Sequence, residues 1–372
     1  MKVPPLNLPA EYLEIKKELS ARLARLFKDG QYILGSEVSL FETNFAKLIG
    51  TKFASGVASG SDALYLSLVA LGIGPGDEVI TTSLTYIATG TAIARTGAKP
   101  VFVDIEPATF NINPDLIEKK ITKRTKVILP VHIYGMPCDM TQIVNIARKH
   151  KLKIVEDCAQ STGAEWRGKS TGSFGIFGAF SFYPTKIIGA YGDGGAIVTN
   201  DSKLANSILF LRNQSDPHKT YIHPVIGFNS RLDAIQAAIL NVKLKRFHSW
   251  NQKRIRAAAI YDKLLKENGI PEVIVPRRLP GVKHVYHQYT IRVKKRDALL
   301  SFLKKSGVAA GIYYPIPLHL QPCFRYLGYR KGSLPETEKA AREIISLPLF
   351  PQISPAQQTF VIQKILEFFR SQ

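Results

Sequence analysis

The chain has 372 residues with an ordinary hydrophobic content, enough to bury a sizeable core and to form two domains. No run approaches the roughly 18 apolar residues of a membrane helix, and Met1-Lys2-Val3-Pro4-Pro5 lacks the apolar stretch of a secretory signal, so the expectation is a cytoplasmic protein with no membrane partner. The net charge of +21 comes in short runs such as Lys119-Lys120, Lys149 to Lys153 and Lys304-Lys305. These runs are spread over the whole chain, with no zinc finger, RRM signature or basic heptad region, and are read as solvated helix faces with no nucleic-acid partner. Cys138, Cys158 and Cys323 are widely spaced and form no CxxC pair, so neither a metal site nor a disulfide framework is expected.

Ile15, Leu19, Leu23 and Leu26 recur at helical spacing and predict an amphipathic helix over about 10–28, stopped by Asp29-Gly30. Val38, Phe41, Phe45 and Leu48 predict a second helix, ended by Gly50. From Lys52 the pattern alternates. Short apolar runs at 53–57, 78–82, 100–104, 126–131 and 152–156 are separated by helical stretches at 62–71, 88–95, 114–120 and 140–150. That alternation predicts an α/β fold with a mostly parallel sheet covered on both faces, and ligands in such sheets sit beyond the carboxyl ends of the strands. A strand at 195–200, a helix at 203–212, an irregular polar stretch at 213–229 and a helix from 232 running on to Tyr261 follow. A change of character near residue 245 divides the chain into a large domain, 1–245, and a small C-terminal α+β domain, 246–372. The latter is expected to hold a strand at 286–293, a helix at 297–305, a strand at 311–315 and a final helix from Ala356.

Three features in this order carry chemistry. Ala58-Ser59-Gly60-Ser61-Asp62 is a turn of small residues between a strand and a helix, where bare amides can hold phosphate. Glu156-Asp157-Cys158-Ala159-Gln160 puts a carboxylate at a strand end, which is what keeps a pyridinium nitrogen protonated. Phe180-Ser181-Phe182-Tyr183-Pro184-Thr185-Lys186 leads from a short strand, ended by Pro184, to one lysine among small and apolar residues. Held there, a lysine can lose its proton and form a Schiff base with an aldehyde. Together these are the parts of a pyridoxal phosphate site.

The ordered motifs resemble the DegT/StrS-type nucleotide-sugar aminotransferases, fold-type I pyridoxal phosphate enzymes, from about Leu6 to the C-terminal helix. The resemblance implies that Lys186 carries the cofactor, that Asp157 pairs with its ring nitrogen, and that Gln160 bonds its ring hydroxyl. It also implies that Ser59, Gly60, Ser61, Asp62 and Ser181 cradle its phosphate and that Tyr86 stacks on its ring. Gly227-Phe228-Asn229-Ser230-Arg231-Leu232 matches the segment whose Asn229 reaches the phosphate of a neighbouring subunit, which implies a homodimer with shared active sites. L-Glutamate would be the amino donor. A lysine at position 186, where some relatives with dehydratase activity carry histidine, favours amino transfer.

The segments 284–289, 314–322 and 346–351 look like the branch that acts on dTDP- or UDP-linked 3-keto sugars, and Tyr183 fits it. Tyr313 stands where many members of that branch have histidine. Tyr183, Lys219, Tyr221, Tyr313 and His319 are the candidate substrate contacts. The alternatives are the same chemistry on a C4-keto sugar or a keto-cyclitol, and a non-enzymatic regulator that binds the cofactor.

Overall fold

The computed structural model describes residues 1–216 and 221–371. Helix α1 (Leu8–Asp29) starts behind Asn7, whose side chain accepts the Ala10 amide at 3.1 Å, and stops at Gly30 with φ 67°. A left-handed C-terminal residue of that kind favours glycine. Helix α2 is Gly35–Ile49. The buried faces of the two helices, Ile15, Leu19 and Leu26 in the first and Val38, Phe41 and Phe45 in the second, are those the periodicity marks.

The alternating part runs β1 (Phe53–Val57), α3 (Gly60–Ala70), β2 (Glu78–Thr82), α4 (Ile87–Arg95), β3 (Lys99–Val103), β4 (Thr125–Leu129), α5 (Met140–Lys149) and β5 (Lys153–Asp157). A small antiparallel pair, β6 (Glu165–Trp166) and β7 (Lys169–Ser170), precedes β8 (Phe177–Ser181), β9 (Gly195–Thr199), α6 (Ser202–Arg212) and α7 (Ala234–Leu244). Seven of these strands form one sheet in the order β1-β9-β8-β5-β4-β2-β3. Strands β8, β5, β4, β2 and β3 are mutually parallel, and β9 is antiparallel to both its neighbours. Strand β2 is buried at every position, as expected when helices cover both faces.

The rest of the chain comprises α8 (Phe247–Glu267), β10 (Val273–Ile274), β11 (Val282–Lys283), β12 (Tyr289–Val293), α9 (Arg296–Lys305), α10 (Pro335–Glu343), β13 (Ile344–Leu347) and α11 (Pro355–Arg370). A three-stranded sheet, β10-β12-β13, packs with α8, α9 and α11 around a separate core that includes Tyr261, Tyr289, Leu299, Ile345 and Val361. Val3, from the start of the chain, belongs to this core and bridges to Val308.

Several elements differ from the sequence reading. The helix expected at 114–120 is two single 3₁₀ turns, Pro114–Leu116 and Glu118–Lys120, because seven residues are too few to offset helix nucleation. The helix expected to run from 232 through Tyr261 breaks between α7 and α8. Helix α7 packs Ala237 and Leu240 against the large sheet's core, and α8 packs Ala258 and Tyr261 into the second, so one straight rod cannot serve both. The strand expected at 311–315 is a single bridge between Gly311 and Ser346, since Pro315 and Pro317 cannot donate to a ladder. Helix α10 and strand β13 escaped the reading, although Pro335 at the first turn with Glu336 and Glu338 behind it is a legible helix start.

Candidate active site

Strand β5 ends in two buried carboxylates that point to opposite sides of the sheet, as alternation requires. Glu156 is fully buried and spends itself on structure. Its oxygens accept the amides of Gly172, Phe174 and Gly175 at 2.7–2.8 Å, and Oε2 lies 3.0 Å from His132 Nε2. The Cys138 amide donates to His132 Nδ1, so the imidazole's proton is on Nε2 and is donated to Glu156. His132, Glu156 and Cys158 lie close together, but the imidazole and the carboxylate are committed to hydrogen bonds.

Asp157 faces the other way, beside the exit of β8. Its Oδ2 accepts from Thr89 Oγ1 at 2.8 Å and its Oδ1 from the Ala159 amide at 3.1 Å. Thr89 is in turn 2.9 Å from Thr85 Oγ1. An ionised carboxylate only accepts, so the protons run from Thr85 to Thr89 to Asp157. Burial raises the Asp157 pKa, while the Ala159 amide, Thr89 and the nearby Lys186 oppose the rise.

Lys186 lies on the neighbouring turn. Strand β8 stops at Ser181, two residues before the end expected from Pro184, but Phe182 and Ala190 extend the hydrogen bonding. The Lys186 amide closes a turn onto the Tyr183 carbonyl at 2.8 Å. Gly189 is required behind this turn, because a Cβ there would lie 2.4 Å from the Pro184 carbonyl oxygen. Phe182 and Phe180 pin the segment from below, in edge-on contact with Phe41 and Phe45 of α2 at 5.0–5.2 Å. The buried Lys243 of α7 donates to Gly189 O at 2.6 Å and pairs with Glu11 of α1. Burial pushes the Lys186 amine down to about 8, and the charge of Asp157 pulls against that shift. A lysine at that value is a usable nucleophile and base near neutral pH.

The small-residue turn sits against the same strand. Ser59 caps α3, with its Oγ accepting the Asp62 amide at 3.1 Å and its carbonyl accepting the Ala63 amide at 2.9 Å. The amides of Gly60 and Ser61 precede these in the first turn, the part of a helix that can bind an anion. A Cβ on Gly60 would lie 2.5 Å from the Ser181 Cβ, and one on Gly195 would lie 2.4 Å from the Ser59 carbonyl carbon. Residues 59–61 and 181 are therefore brought together as expected. The Asp62 carboxylate is turned to Ser230, which also accepts the Ala58 amide, and so fastens the turn to the 229–231 segment.

Gln160 is held by the Tyr134 amide on its Oε1 at 2.6 Å and donates through Nε2 to Tyr314 Oη at 3.3 Å. Tyr86 is 55% exposed and its ring is 5.7 Å from that of Tyr314. Tyr183 is exposed and Tyr313 is half-buried. Tyr221 is exposed and Asn229 makes a bridge with Asn213. His319 is buried, with Ser83 Oγ at 2.7 Å on Nδ1 and Glu338 at 3.2 Å on Nε2, so both ring nitrogens are engaged by the protein. Lys219 lies outside the described residues.

Thr85, Thr89, Tyr134, Tyr314 and Lys243 take part in the site and were not singled out from sequence. The only available signal was the i, i+4 spacing of Thr85 and Thr89. The contacts of Tyr134 and Tyr314 join segments far apart in the chain. The set fits pyridoxal phosphate on its own chemistry. It has a buried carboxylate for a ring nitrogen, an amine with a lowered pKa on the adjacent turn, and a first-turn amide cradle too tight for a side chain at position 60.

Residues 13–366 match the DegT/DnrJ/EryC1/StrS aminotransferase family. The chain is 49% identical to the "pleiotropic regulatory protein" of Geobacillus stearothermophilus, over 100% of this chain and 99% of that protein. It is 44% identical to dTDP-3-amino-3,4,6-trideoxy-alpha-D-glucose transaminase of Streptomyces venezuelae, over 99% and 96% of the two. Among solved structures it superposes on DesV of S. venezuelae with a TM-score of 0.96 and 44% identity, covering 99% and 98% of the chains. It also superposes on NtdA of Bacillus subtilis, solved with bound PMP cofactor, with a TM-score of 0.88 and 32% identity, covering 96% and 82%. Among the described residues no helix is long and apolar enough to cross a membrane.

Proposed function

Because the chain belongs to the DegT/DnrJ/EryC1/StrS aminotransferase family, we propose that it is a pyridoxal phosphate-dependent transaminase moving an amino group from L-glutamate to a nucleotide-linked keto-sugar, with a dTDP- or UDP-linked 3-keto-hexose as the leading substrate. The observation that carries the reading is the pairing of Lys186, its amine lowered to about 8, with the buried Asp157 on the adjacent strand.

When bound, pyridoxal phosphate supplies an aldehyde that condenses with a primary amine and a ring that takes up electrons. Asp157, held by Thr89, would keep the proton on the ring nitrogen. Gln160, itself oriented by Tyr134 and Tyr314, would bond the ring hydroxyl. Ser59, Gly60, Ser61 and Ser181 would bind the phosphate, with Asp62 bracing the turn, and Tyr86 would lie against the ring. Lys186 Nζ would be the amine that holds the cofactor at rest. When free, the same nitrogen would be the acid and base for the proton at the reacting carbon of the donor and of the keto-sugar.

The same reading makes Tyr183, Tyr221, Tyr313 and Lys219 substrate contacts and His319 the support of the loop at Ser83. It places the domain boundary where α7 gives way to α8, and it makes the protein a homodimer in which Asn229 serves the neighbouring site. The exposed apolar side chains Tyr221, Ile222, Val225 and Ile226, within six residues of one another, support that last point, since a patch of this kind marks a contact surface.

The test is an absorbance spectrum of the purified protein before and after L-glutamate. Conversion of the lysine-bound band to that of the aminated cofactor supports cofactor, lysine and donor together. A cofactor band that glutamate leaves unchanged removes the donor, and no band removes the reading. Assaying 3-keto and 4-keto sugars side by side then separates the leading substrate from its alternatives.

A further inference from the structure

A groove of about 1080 Å³ lies outside the Lys186 site, a volume of the order of ligand clefts, which run to roughly 1,000 Å³. One wall is the loop after β3, with Pro107, Ala108 and Phe110. The other is the segment after α8, with Ile270, Val273 and Pro276. The groove thus lies between the large sheet's region and the second core, where a ligand can influence both.

Its cations are unequal. Arg278 pairs with Asp262 at 2.6 Å, and Arg292 pairs with Glu343 at 2.7 Å while donating to Pro107 O at 3.2 Å. Lys266 and Arg277 are exposed and carry no ion pair among the described residues. Apolar walls, with the edge of the buried Phe110 ring among them, and two uncommitted cations suit a ligand with an apolar body and at least two negative charges. Arginine and lysine are the usual partners of phosphate oxygens.

The groove is also connected to the site. A smaller cleft shares Ala108, Phe110, Pro276 and Arg277 with it and runs to Tyr134 and Gln288. The Phe110 ring meets the Tyr134 ring edge-on at 5.6 Å. The Tyr134 amide holds Gln160, its Oη donates to Tyr313 O, and its carbonyl accepts the Gln288 amide. Phe110 and Tyr134 have φ of 63° and 57°, a region that bulky side chains rarely adopt and that concentrates at ligand clamps and switch segments.

We propose that this groove is a second, regulatory binding site for a nucleoside diphosphate, with the base against Phe110 and Pro276, the phosphates on Lys266 and Arg277, and occupancy felt at Gln160 through Phe110 and Tyr134. The link to Gln160 rests on the reading of Lys186 as the cofactor lysine, and the binding itself does not.

The experiment titrates the cofactor-loaded protein with UDP while following the absorbance of the lysine-bound cofactor, in the native chain and in Lys266→Glu/Arg277→Glu. The expected result is a saturable spectral change whose midpoint rises at least tenfold in the double variant, with the rate of the glutamate half-reaction unchanged. An equal midpoint in both proteins puts the nucleotide in the substrate site and overturns the proposal, as does a native protein that shows no change. Inorganic pyrophosphate acting at the same concentration as UDP overturns the base contact. Calorimetric titration of the cofactor-free protein with UDP tests the groove by itself. Binding weakened tenfold by the double variant supports it and undiminished binding refutes it, whether or not the cofactor reading holds.

Discussion

The floor of the site and the segment from Tyr221 to Arg231 differ in how far one chain satisfies its own groups. Around Asp157 and Lys186 the polar atoms are bonded in sequence, from Thr85 through Thr89 to Asp157, and the lysine's turn is pinned by Phe180, Phe182 and Lys243. On the other segment Tyr221 is 88% and Ile226 90% exposed, although Ser230 is tied firmly to Asp62 and Ala58. The floor is finished within the chain, whereas the wall presents apolar groups outward. Under the proposed homodimer, the second chain would cover this outward-facing segment.

Experiments can break that contrast from the floor outward. Lys186→Ala should lower transamination by roughly 10⁴-fold or more, the scale of losing a nucleophile, and should remove the lysine-bound absorbance. Steady-state assays with L-glutamate measure it, and retained activity would end the account. Phe182→Ala should cost about 3–5 kcal/mol of stability, as expected for an emptied aromatic site, read as a lower denaturant midpoint. Thr89→Val removes a hydrogen bond to a charged group, worth about 1.5–3 kcal/mol, and should lower kcat by about 10- to 100-fold, while Thr89→Ser should restore most of it. Tyr86→Ala, on the exposed side, should weaken cofactor retention only about 2- to 10-fold, as expected for losing one aromatic contact of about 0.5–1.5 kcal/mol. Equal losses for Thr89→Val and Tyr86→Ala would erase the distinction between the buried floor and the exposed side of the site.

A separate effect is one of pH. With its pKa at about 8 in the folded, cofactor-free protein and about 10.4 when unfolded, Lys186 binds more protons in the unfolded state between those values. Its burial therefore penalises folding fully at low pH, and the penalty is relieved as pH rises through that window. The cofactor-free chain should gain stability from pH 8 to 10 relative to Lys186→Met. Asp157 has the opposite sign in the cofactor-free chain. Burial pushes its carboxyl up, so the folded state binds more protons than the unfolded one through the carboxylate range, and stability should fall as pH rises through that range relative to Asp157→Asn.

What the sequence made legible follows from the same physics. The strand-helix alternation, the two N-terminal helices and the order of turn, acid and lysine are local patterns, and the chain folds them where they were read. Thr89 and Tyr134 were invisible because their partners, Asp157 and Gln160, lie far along the chain. The end of β8 was misplaced because Phe182 keeps strand-like alternation and hydrogen bonds beyond Ser181. The turn from α7 to α8 carries no glycine or proline, so only the two separate cores reveal it. His319 read as a substrate contact because nothing local announces its burial between Ser83 and Glu338.

The central claim is that one lysine, Lys186, carries the cofactor. Reducing the cofactor-loaded protein with borohydride and mapping its peptides by mass spectrometry tests it directly. The account predicts the added pyridoxyl phosphate mass on the peptide containing Lys186. The mass on another lysine, or on none, would contradict it.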